Sequence, residues 1–323
     1  MSARTADDGA AAAGRSRALV QALNQMSDST VLVIAGATAA GKTPLAFDLA
    51  LRFDAEIVGA DSRQIYNDMP IGTAAPSSEA LSAVRHHCVA MVDPYERYSA
   101  GRFERDALAA IADIQARGKR AIVAGGTGFY IRALTGSVGL ARAYDEQLRA
   151  RLRREASVHE PGFLHQWLVR LDSRRAAAID PNDTYRVLRA LEIRLADPPI
   201  PNGTDAMRRP EFFKVALEVP VAEIDQRIAT RTAHMLASGL IEEAERIGPN
   251  AVAGSAVGYP QALAYLRGWS TEEELRTTLM RATKRYARRQ IAWFRREPGI
   301  EWVSPGHVAG IVREKLGWRE KPD

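Results

Sequence analysis

The segment with the clearest chemistry in this sequence runs from residue 36 to residue 43. It reads Gly-Ala-Thr-Ala-Ala-Gly-Lys-Thr, which matches the spacing G-x-x-x-x-G-K-[ST]. Glycines let successive backbone N–H groups turn towards phosphate oxygens, and a lysine adds a positive charge. A threonine hydroxyl at the last position is a ligand for Mg²⁺. The motif predicts a phosphate-binding loop made of Gly36, Ala37, Thr38, Ala39, Ala40, Gly41, Lys42 and Thr43.

Two other segments carry polar groups that are suited to a reaction. Asp61 opens the run Asp-Ser-Arg-Gln-Ile-Tyr, and Thr127 lies within Gly-Gly-Thr-Gly-Phe-Tyr at 125–130. A carboxylate beside a phosphate site can bind a metal or act as a base, but it can also cap a turn. Glycines allow a ligand to approach the backbone closely, but they also serve a tight turn. The residues alone leave both interpretations open.

The elements around these segments indicate how they are positioned. Apolar runs precede each of them, and helical patterns follow. Alternating strands and helices predict an α/β fold, with a parallel sheet flanked by helices and with ligands at the carboxyl ends of the strands. Lys42, Asp61 and Thr127 would then share one rim. The predicted strands are 31–35, 56–60, 87–92, 120–124, 212–219 and 301–303.

Composition excludes several other classes of protein. The 323 residues include 44 Lys and Arg against 39 Asp and Glu, a net charge of +5. The single cysteine, Cys88, excludes an intramolecular disulfide framework and a cysteine-built zinc finger. No apolar run approaches the roughly 18 residues that span a bilayer, and no signal pattern is evident. We therefore expect a soluble cytoplasmic protein without a membrane partner.

The chain divides into five predicted segments. Residues 1–29, rich in alanine, serine and aspartate, are predicted to be a disordered leader. Residues 140–198 have helical patterns, a high charge density and no strand signal, which predicts a helical insertion domain. The phosphate-loop core would comprise 30–139 and 199–310, and a tail would follow at 311–323.

Taken together, the motifs resemble one family, the tRNA dimethylallyltransferases or tRNA isopentenyltransferases of bacterial type. The ordered match spans about residues 31–303. Its elements are the phosphate loop, Asp61 to Tyr66, Ile71 to Ala74, His86-His87, Asp93-Pro94, Tyr98-Ser99, Arg105 to Ala107, Gly125 to Tyr130, Pro181 to Asp183, Arg186, Arg189 to Glu192, Met235 to Leu240, Val257 to Tyr259, Arg285 to Gln290 and Trp293-Phe294.

The resemblance implies transfer of a dimethylallyl group from its diphosphate to N6 of an adenosine. In the family that adenosine lies 3′ of the anticodon in tRNAs reading codons that begin with U. Asp61 matches the family's base, and Thr127 matches a threonine that holds the reacting groups. Arg227 matches an arginine on the diphosphate, and Mg²⁺ at Thr43 would help to stabilise the leaving group.

The resemblance also implies that the partner is the tRNA anticodon stem-loop, which the helical insertion would contact. We expect the protein to be a monomer. A seven-residue basic cluster between Arg281 and Arg296 contains no acid and suits phosphate contacts. By contrast, the basic residues at 149–154 are expected to be ordinary solvated charges. The tRNA-binding residues implied are Ser62, Arg63, Gln64, Arg186, Arg189, Gly258, Tyr259, Arg285, Arg288 and Arg289.

Several positions depart from the family pattern. Three positions that face ligands in the family lack a cation here, namely Ala75, Val221 and Pro260. Each loss is expected to weaken phosphate or tRNA contacts by about 1–3 kcal/mol. Two alternatives are therefore retained: a prenyltransferase that acts on free adenine nucleotides, and a phosphate-loop kinase or NTPase.

Overall fold

A computed structural model of the chain describes residues 29–137, 146–195 and 209–321. The predicted leader therefore lies outside the described residues, apart from Ser29, as does the turn-rich stretch at 197–203. The strands in the described ranges are β1 (Val31–Ala35), β2 (Ala55–Gly59), β3 (His86–His87), β4 (Arg120–Gly125), β5 (Phe212–Leu217) and β6 (Ile300–Val303). They form one parallel sheet in the order β3-β2-β4-β1-β5-β6.

Helices make up most of the remaining described chain. Those flanking the sheet strands are α1 (Lys42–Arg52), α2 (Pro70–Thr73), α3 (Ser78–Ala83), α4 (Ala100–Ala116) and α5 (Gly128–Leu134). Between β4 and β5 follow α6 (Glu146–Val158), α7 (Phe163–Leu171), α8 (Ser173–Ala176) and α9 (Thr184–Leu195). The chain continues with α10 (Val221–Ala237), α11 (Leu240–Ile247), α12 (Tyr259–Leu266), α13 (Glu272–Phe294) and α14 (Val308–Leu316).

β1 lies in the middle of the sheet and is buried on both faces. Val31 and Val33 pack into one hydrophobic core, whereas Leu32 and Ile34 pack into a second core on the opposite face. This arrangement explains why the strand is apolar at every position rather than at alternate ones. The α/β fold with a parallel sheet is confirmed.

One sequence prediction on the sheet is wrong. The strand expected at 87–92 ends after His87, because Cys88 and Ala90 adopt left-handed backbone angles, with φ of 56° and 47°. The segment expected to be a tail from residue 311 continues α14. Trp318 beyond it is buried and lies against the ring of Phe53, with centroids 5.9 Å apart. The pattern of apolar residues in the sequence indicates neither the turn at Cys88 nor the packing of Trp318 against Phe53.

The described chain separates into two compact units. The core unit consists of the residues up to Gly136 and from Arg209 onwards, and the insert unit lies within Ser137–Arg208. The insert unit has its own apolar centre, which includes Leu152, Leu168 and Leu191. Among the described residues, no helix is long and apolar enough to cross a membrane.

Arg149 and Glu192 form a buried ion pair within the insert unit. Arg149 was expected to be solvated, but it is buried, and its Nε lies 2.9 Å from Glu192 Oε1. Arg189 donates from NH1 to Glu192 Oε2 at 2.9 Å. A buried carboxylate needs such cationic partners, because taking it out of water alone is costly.

Glu56 on β2 is a second buried carboxylate that is surrounded by basic side chains. It accepts hydrogen bonds from Arg117 and pairs with His87 Nε2 at 2.8 Å. The Arg117 hydrogen bond lowers the pKa of Glu56 from 4.5 to about 2. Because the folded-state pKa is lowered, the stabilisation is complete above pH 4.5 and is lost as the pH falls towards 2.

We expect Glu56→Gln to lower the free energy of unfolding by about 1–3 kcal/mol at pH 7, the range for a lost charged hydrogen bond at a partly exposed partner. Urea unfolding at several pH values measures this loss. The difference from wild type should shrink between pH 4.5 and 2. Glu245→Gln, at an exposed position on α11, serves as the control. A difference that stayed constant in acid would contradict this account of Glu56.

Candidate active site

Strand register brings the three predicted segments to one rim. Ala35 at the end of β1 is paired with Gly125 at the end of β4, so the phosphate loop and the 126–128 turn follow adjacent strands. On the other side of β4, Gly59 of β2 is paired with Ala124. Asp61 therefore follows β2 next to Thr127. The shared rim is thus the carboxyl edge of three neighbouring strands, where open α/β sheets bind ligands.

The phosphate loop is closed by its own lysine. Lys42 Nζ donates to Ala37 O at 2.7 Å, which folds the side chain back across the loop. Burial lowers the pKa of Lys42 from 10.5 to about 8, Asp61 partly opposes this shift, and Arg231 adds to it. A positively charged loop whose lysine has a pKa of about 8 is suited to bind an anion.

Asp61 and Thr127 are fixed by separate backbone contacts. Asp61 Oδ1 accepts from the backbone N–H of Arg63 at 2.9 Å. Thr127 Oγ1 accepts from the backbone N–H of Ser62 at 2.9 Å and donates to Ser62 Oγ at 3.3 Å. These contacts join the β2 and β4 loops and leave Asp61 with a carboxylate oxygen, Oδ2, outside that turn.

The close approach of the two loops depends on Gly125. A Cβ atom built there would lie 2.1 Å from Ala60 O, well inside van der Waals contact. The backbone N–H of Thr127 donates to the same oxygen at 3.1 Å. A side chain at position 125 would therefore separate Asp61 from Thr127. The structure thus supports the tight-turn interpretation of this glycine-rich segment, and close approach of a ligand stays a prediction.

Two arginines of α10 lie beside the phosphate loop. Arg227 donates from NH1 to Ala39 O at 3.3 Å, and its NH2 pairs with Glu223 of the same helix. Arg231, one helical turn later, donates from NH2 to Thr38 Oγ1 at 2.7 Å. Both line an open pocket of about 450 Å³ with Gln226, Thr230 and His234. Sequence reasoning missed Arg231, although its four-residue spacing from Arg227 places both on one helix face.

Gln290 on α13 joins the phosphate loop to the β4 turn. Its Oε1 accepts from the backbone N–H of Thr38 at 2.8 Å, and its Nε2 donates to Gly126 O at 2.9 Å. The side chain is 6% exposed, so both bonds are shielded from water. One helical turn earlier, burial raises the pKa of the Tyr286 phenol to about 12, with Asp61 adding to the rise and Thr127 opposing it. Both residues lie within the matched motif Arg285 to Gln290, but sequence reasoning assigned neither of them a role.

The predicted tRNA contacts on α13 are exposed, but one of them is engaged. Arg285, Arg288 and Arg289 all lie on the surface of the core unit. Arg288 NH2 lies 3.0 Å from Asp225 Oδ2, and Lys284 lies 3.4 Å from the same oxygen. Arg289 lies over the Tyr286 ring at 5.7 Å from its centroid. The helix thus presents a cationic surface, part of which is balanced by one aspartate.

The prediction that Tyr259 contacts tRNA is corrected by its burial. The side chain is 0% exposed, and its hydroxyl donates to the buried carboxylate of Glu243 at 2.7 Å. A ring enclosed in the core cannot stack on a base. Gly258 before it begins α12, and its backbone N–H donates to Gln261 Oε1 at 2.9 Å. The Gly-Tyr pair therefore has a structural place.

In the insert unit, Arg186 is the more accessible of the two predicted tRNA contacts. Its side chain is exposed, and its Nε lies 3.3 Å from Asp183 Oδ2. Arg189 is held against buried Glu192, as described above. The guanidinium group of Arg189 thus helps to neutralise a buried carboxylate of this unit.

Comparison with known proteins decides the family. A family model described as IPP transferase matches residues 64–297, and one described as isopentenyl transferase matches residues 29–92. A tRNA dimethylallyltransferase from Anaeromyxobacter dehalogenans (strain 2CP-C) is 44% identical over 85% of this chain and 95% of its own length. The chain belongs to the IPP transferase family. It is accordingly a transferase.

Solved structures of similar proteins agree with this assignment. A tRNA isopentenylpyrophosphate transferase from Bacillus halodurans is 33% identical, with a TM-score of 0.64 over 90% of this chain and 98% of its own. A eukaryotic dimethylallyltransferase, described as acting on tRNA, is 27% identical, with a TM-score of 0.73 over 87% of this chain and 75% of its own.

One departure from the family pattern has a structural account in this IPP transferase family member. Pro260 occupies the first turn of α12, where a missing N–H is tolerated. Ala37 is buried against Ile224, Ile228 and Ala287, so a small apolar residue suits this loop position. Val221 lies exposed at the start of α10.

Proposed function

We propose that this protein transfers a dimethylallyl group from dimethylallyl diphosphate to N6 of the adenosine 3′ of the anticodon in tRNAs reading codons that begin with U. The observation that carries the proposal is the placement of Asp61 on the same rim as a phosphate loop with a partly buried lysine, with Thr127 between the ends of β2 and β1. The site therefore offers a base and an anion cradle on one rim.

The diphosphate would bind on the side of the loop that faces α10. Lys42, Arg227 and Arg231 supply positive charge there, and the helix N-terminus of α1 adds favourable backbone dipoles. When the allylic C–O bond breaks, both electrons go to the diphosphate oxygen. Cations fixed before the reaction stabilise this developing charge without reorganising.

The acceptor adenosine would reach the rim from the side of Asp61. As N6 forms a bond to the allylic carbon, it loses a proton, which Asp61 would accept. Thr127 and Ser62, joined by two hydrogen bonds, hold the carboxylate's neighbouring loop in place. A stacked base cannot reach such a rim, so the nucleotide must be flipped out of the anticodon loop.

The donor set near Thr43 fits a magnesium ion that binds together with the diphosphate. Mg²⁺ usually takes one or two protein ligands, with substrate phosphates and water completing its shell. Among the described residues, no group of three or more His, Cys, Asp or Glu forms a metal cluster, which agrees with such a shared site. Thr43, at the first turn of α1, would supply the hydroxyl ligand. A bound Mg²⁺ would neutralise charge on the leaving diphosphate.

The arginine-rich surface of α13 supports a nucleic acid acceptor. The exposed guanidinium groups of Arg285, Arg288 and Arg289 would contact backbone phosphates, with Ser62, Arg63 and Gln64 nearer the base. In the insert unit, Arg186 and Arg189 would contact the anticodon stem-loop. The names of the relatives favour tRNA over free adenine nucleotides as acceptor. A tRNA substrate also implies a cytoplasmic location.

The deciding experiment supplies labelled dimethylallyl diphosphate and Mg²⁺ with unmodified tRNA and, separately, with AMP. We expect label in tRNA and none in AMP. Label in AMP alone would establish the free-nucleotide alternative. Label in neither, together with turnover of ATP, would establish the kinase or NTPase alternative and overturn the proposal.

A further inference from the structure

We infer that Glu243 is a positioning residue for the acceptor side of the site. Its carboxylate fixes the segment 69–75, which contains the single-turn helix α2 and is called the 69–75 turn below. That turn orients the side chain of Gln64, three residues after Asp61. The inference rests on the proposed function, because it concerns how the acceptor adenosine is held.

Three hydrogen-bond donors meet at the Glu243 carboxylate. Its Oε2 accepts from the backbone N–H of Ile71 at 2.9 Å, and its Oε1 accepts from that of Gly72 at 2.7 Å. The Tyr259 hydroxyl donates to Oε1 at 2.7 Å. Glu243 is 1% exposed, so water does not compete for these bonds. A buried carboxylate with this set of donors makes the position of the 69–75 turn costly to change.

Packing restricts the same turn from a second direction. A Cβ atom at Gly72 would lie 2.6 Å from two ring carbons of Tyr259 and from its hydroxyl oxygen, so the turn rests directly on that side chain. On α11, Arg246 donates from NH2 to Asp68 O at 3.1 Å, just before the turn. The helix that carries Glu243 therefore holds the segment at two places.

The position of the 69–75 turn determines how the Gln64 side chain is oriented. Gln64 Nε2 donates to Thr73 O at 3.1 Å and to Ala74 O at 2.8 Å. Carbonyl oxygens only accept, so the NH₂ end must face the turn, and Oε1 remains for another partner. Gln64 is partly exposed. An acceptor oxygen so close in sequence to Asp61 suits the exocyclic amino group of an adenine, which has two N–H donors.

None of these bonds involves residues 36–43. Their loss should therefore weaken the binding of the acceptor and leave the binding of the diphosphate unchanged. In Glu243→Gln the side chain keeps its shape, but its NH₂ group faces a backbone N–H. We expect KM for tRNA to rise about tenfold or more, the equivalent of one lost buried hydrogen bond. KM for dimethylallyl diphosphate should stay within about twofold. Glu242→Gln, at the exposed neighbouring position, should leave both values unchanged.

A double-mutant cycle with Gln64→Ala separates positioning from general loss of stability. If Glu243 acts through Gln64, adding Glu243→Gln to Gln64→Ala should raise KM for tRNA by less than about twofold. Additive effects, or an equal rise in both KM values, would overturn the inference. Tyr259→Phe, which removes only the hydroxyl, repeats the cycle should Glu243→Gln fail to fold. A wild-type enzyme without tRNA prenylation would instead contradict the proposed function.

Discussion

Asp61→Ala should lower kcat for dimethylallyl transfer to tRNA by about 10²–10⁴-fold, the contribution typical of a positioned general base. The carboxylate is the group on this rim that can take the N6 proton, and it is already oriented by the backbone N–H of Arg63. Asp61→Asn should be nearly as inactive, because an amide keeps the shape but cannot accept that proton. Single-turnover transfer of labelled dimethylallyl groups to tRNA measures the chemical step directly.

The same variants should still bind the diphosphate. At pH 6.5 the affinity for dimethylallyl diphosphate should stay within about threefold of wild type, because Lys42 remains protonated there even without the Asp61 charge that raises its pKa. Calorimetric titration checks this value. Asp54→Asn, which makes the same change at an exposed carboxylate just before β2, at the opposite end of that strand, is the matched control. Single-turnover rates near wild type in Asp61→Asn would exclude Asp61 as the base.

The framework of the site could be predicted because its signals are local. A buried parallel strand is apolar throughout, and a phosphate loop has a fixed spacing of glycine, lysine and threonine. From these features alone, Lys42, Asp61 and Thr127 could be assigned to one edge of a sheet. The register of β1, β2 and β4 confirms that assignment.

The partners of these residues could not be predicted in the same way, because they are distant in sequence. Gln290 is 252 residues from Thr38, whose backbone it holds, and Tyr259 is 190 residues from Met69. A motif match assigned Tyr259 to the tRNA surface, but its burial assigns it to the support of the 69–75 turn. Arg149 was interpreted from local charge density, which gives no information on its pairing with Glu192.

These long-range contacts divide the site into two independently supported sides. Gln290, Arg227 and Arg231 brace the phosphate loop from α13 and α10. Glu243 and Tyr259 brace the Gln64 side from α11 and α12. Because the two sets of bonds share no residue, variants on each side should change the affinity for different substrates. This separation allows the two sides to be tested one at a time.

Lys42 provides the sharpest test of the diphosphate side, because its pKa lies close to physiological pH. Burial lowers that pKa to about 8 in the protein without ligand. The protonated amine binds diphosphate, so affinity should be constant below pH 8 and should fall about tenfold per pH unit above it. Bound diphosphate stabilises the charged form, so binding near pH 8 should take up a proton. Calorimetry in two buffers of different ionisation enthalpy measures both quantities.

Lys42→Gln removes this charge. The variant is also the control for the pH dependence of diphosphate binding in the wild-type protein. We expect kcat/KM for dimethylallyl diphosphate to fall at least about 100-fold, from lost charged hydrogen bonding and weaker stabilisation of the leaving group. Titration of the ligand and of other residues persists in the variant, so the difference between the two pH profiles belongs to Lys42. In Asp61→Ala the pH above which affinity falls should be lower than 8, because the Asp61 carboxylate no longer raises the pKa of Lys42. A wild-type affinity that stayed constant from pH 7 to pH 9.5 would show that the charge on Lys42 does not control diphosphate binding.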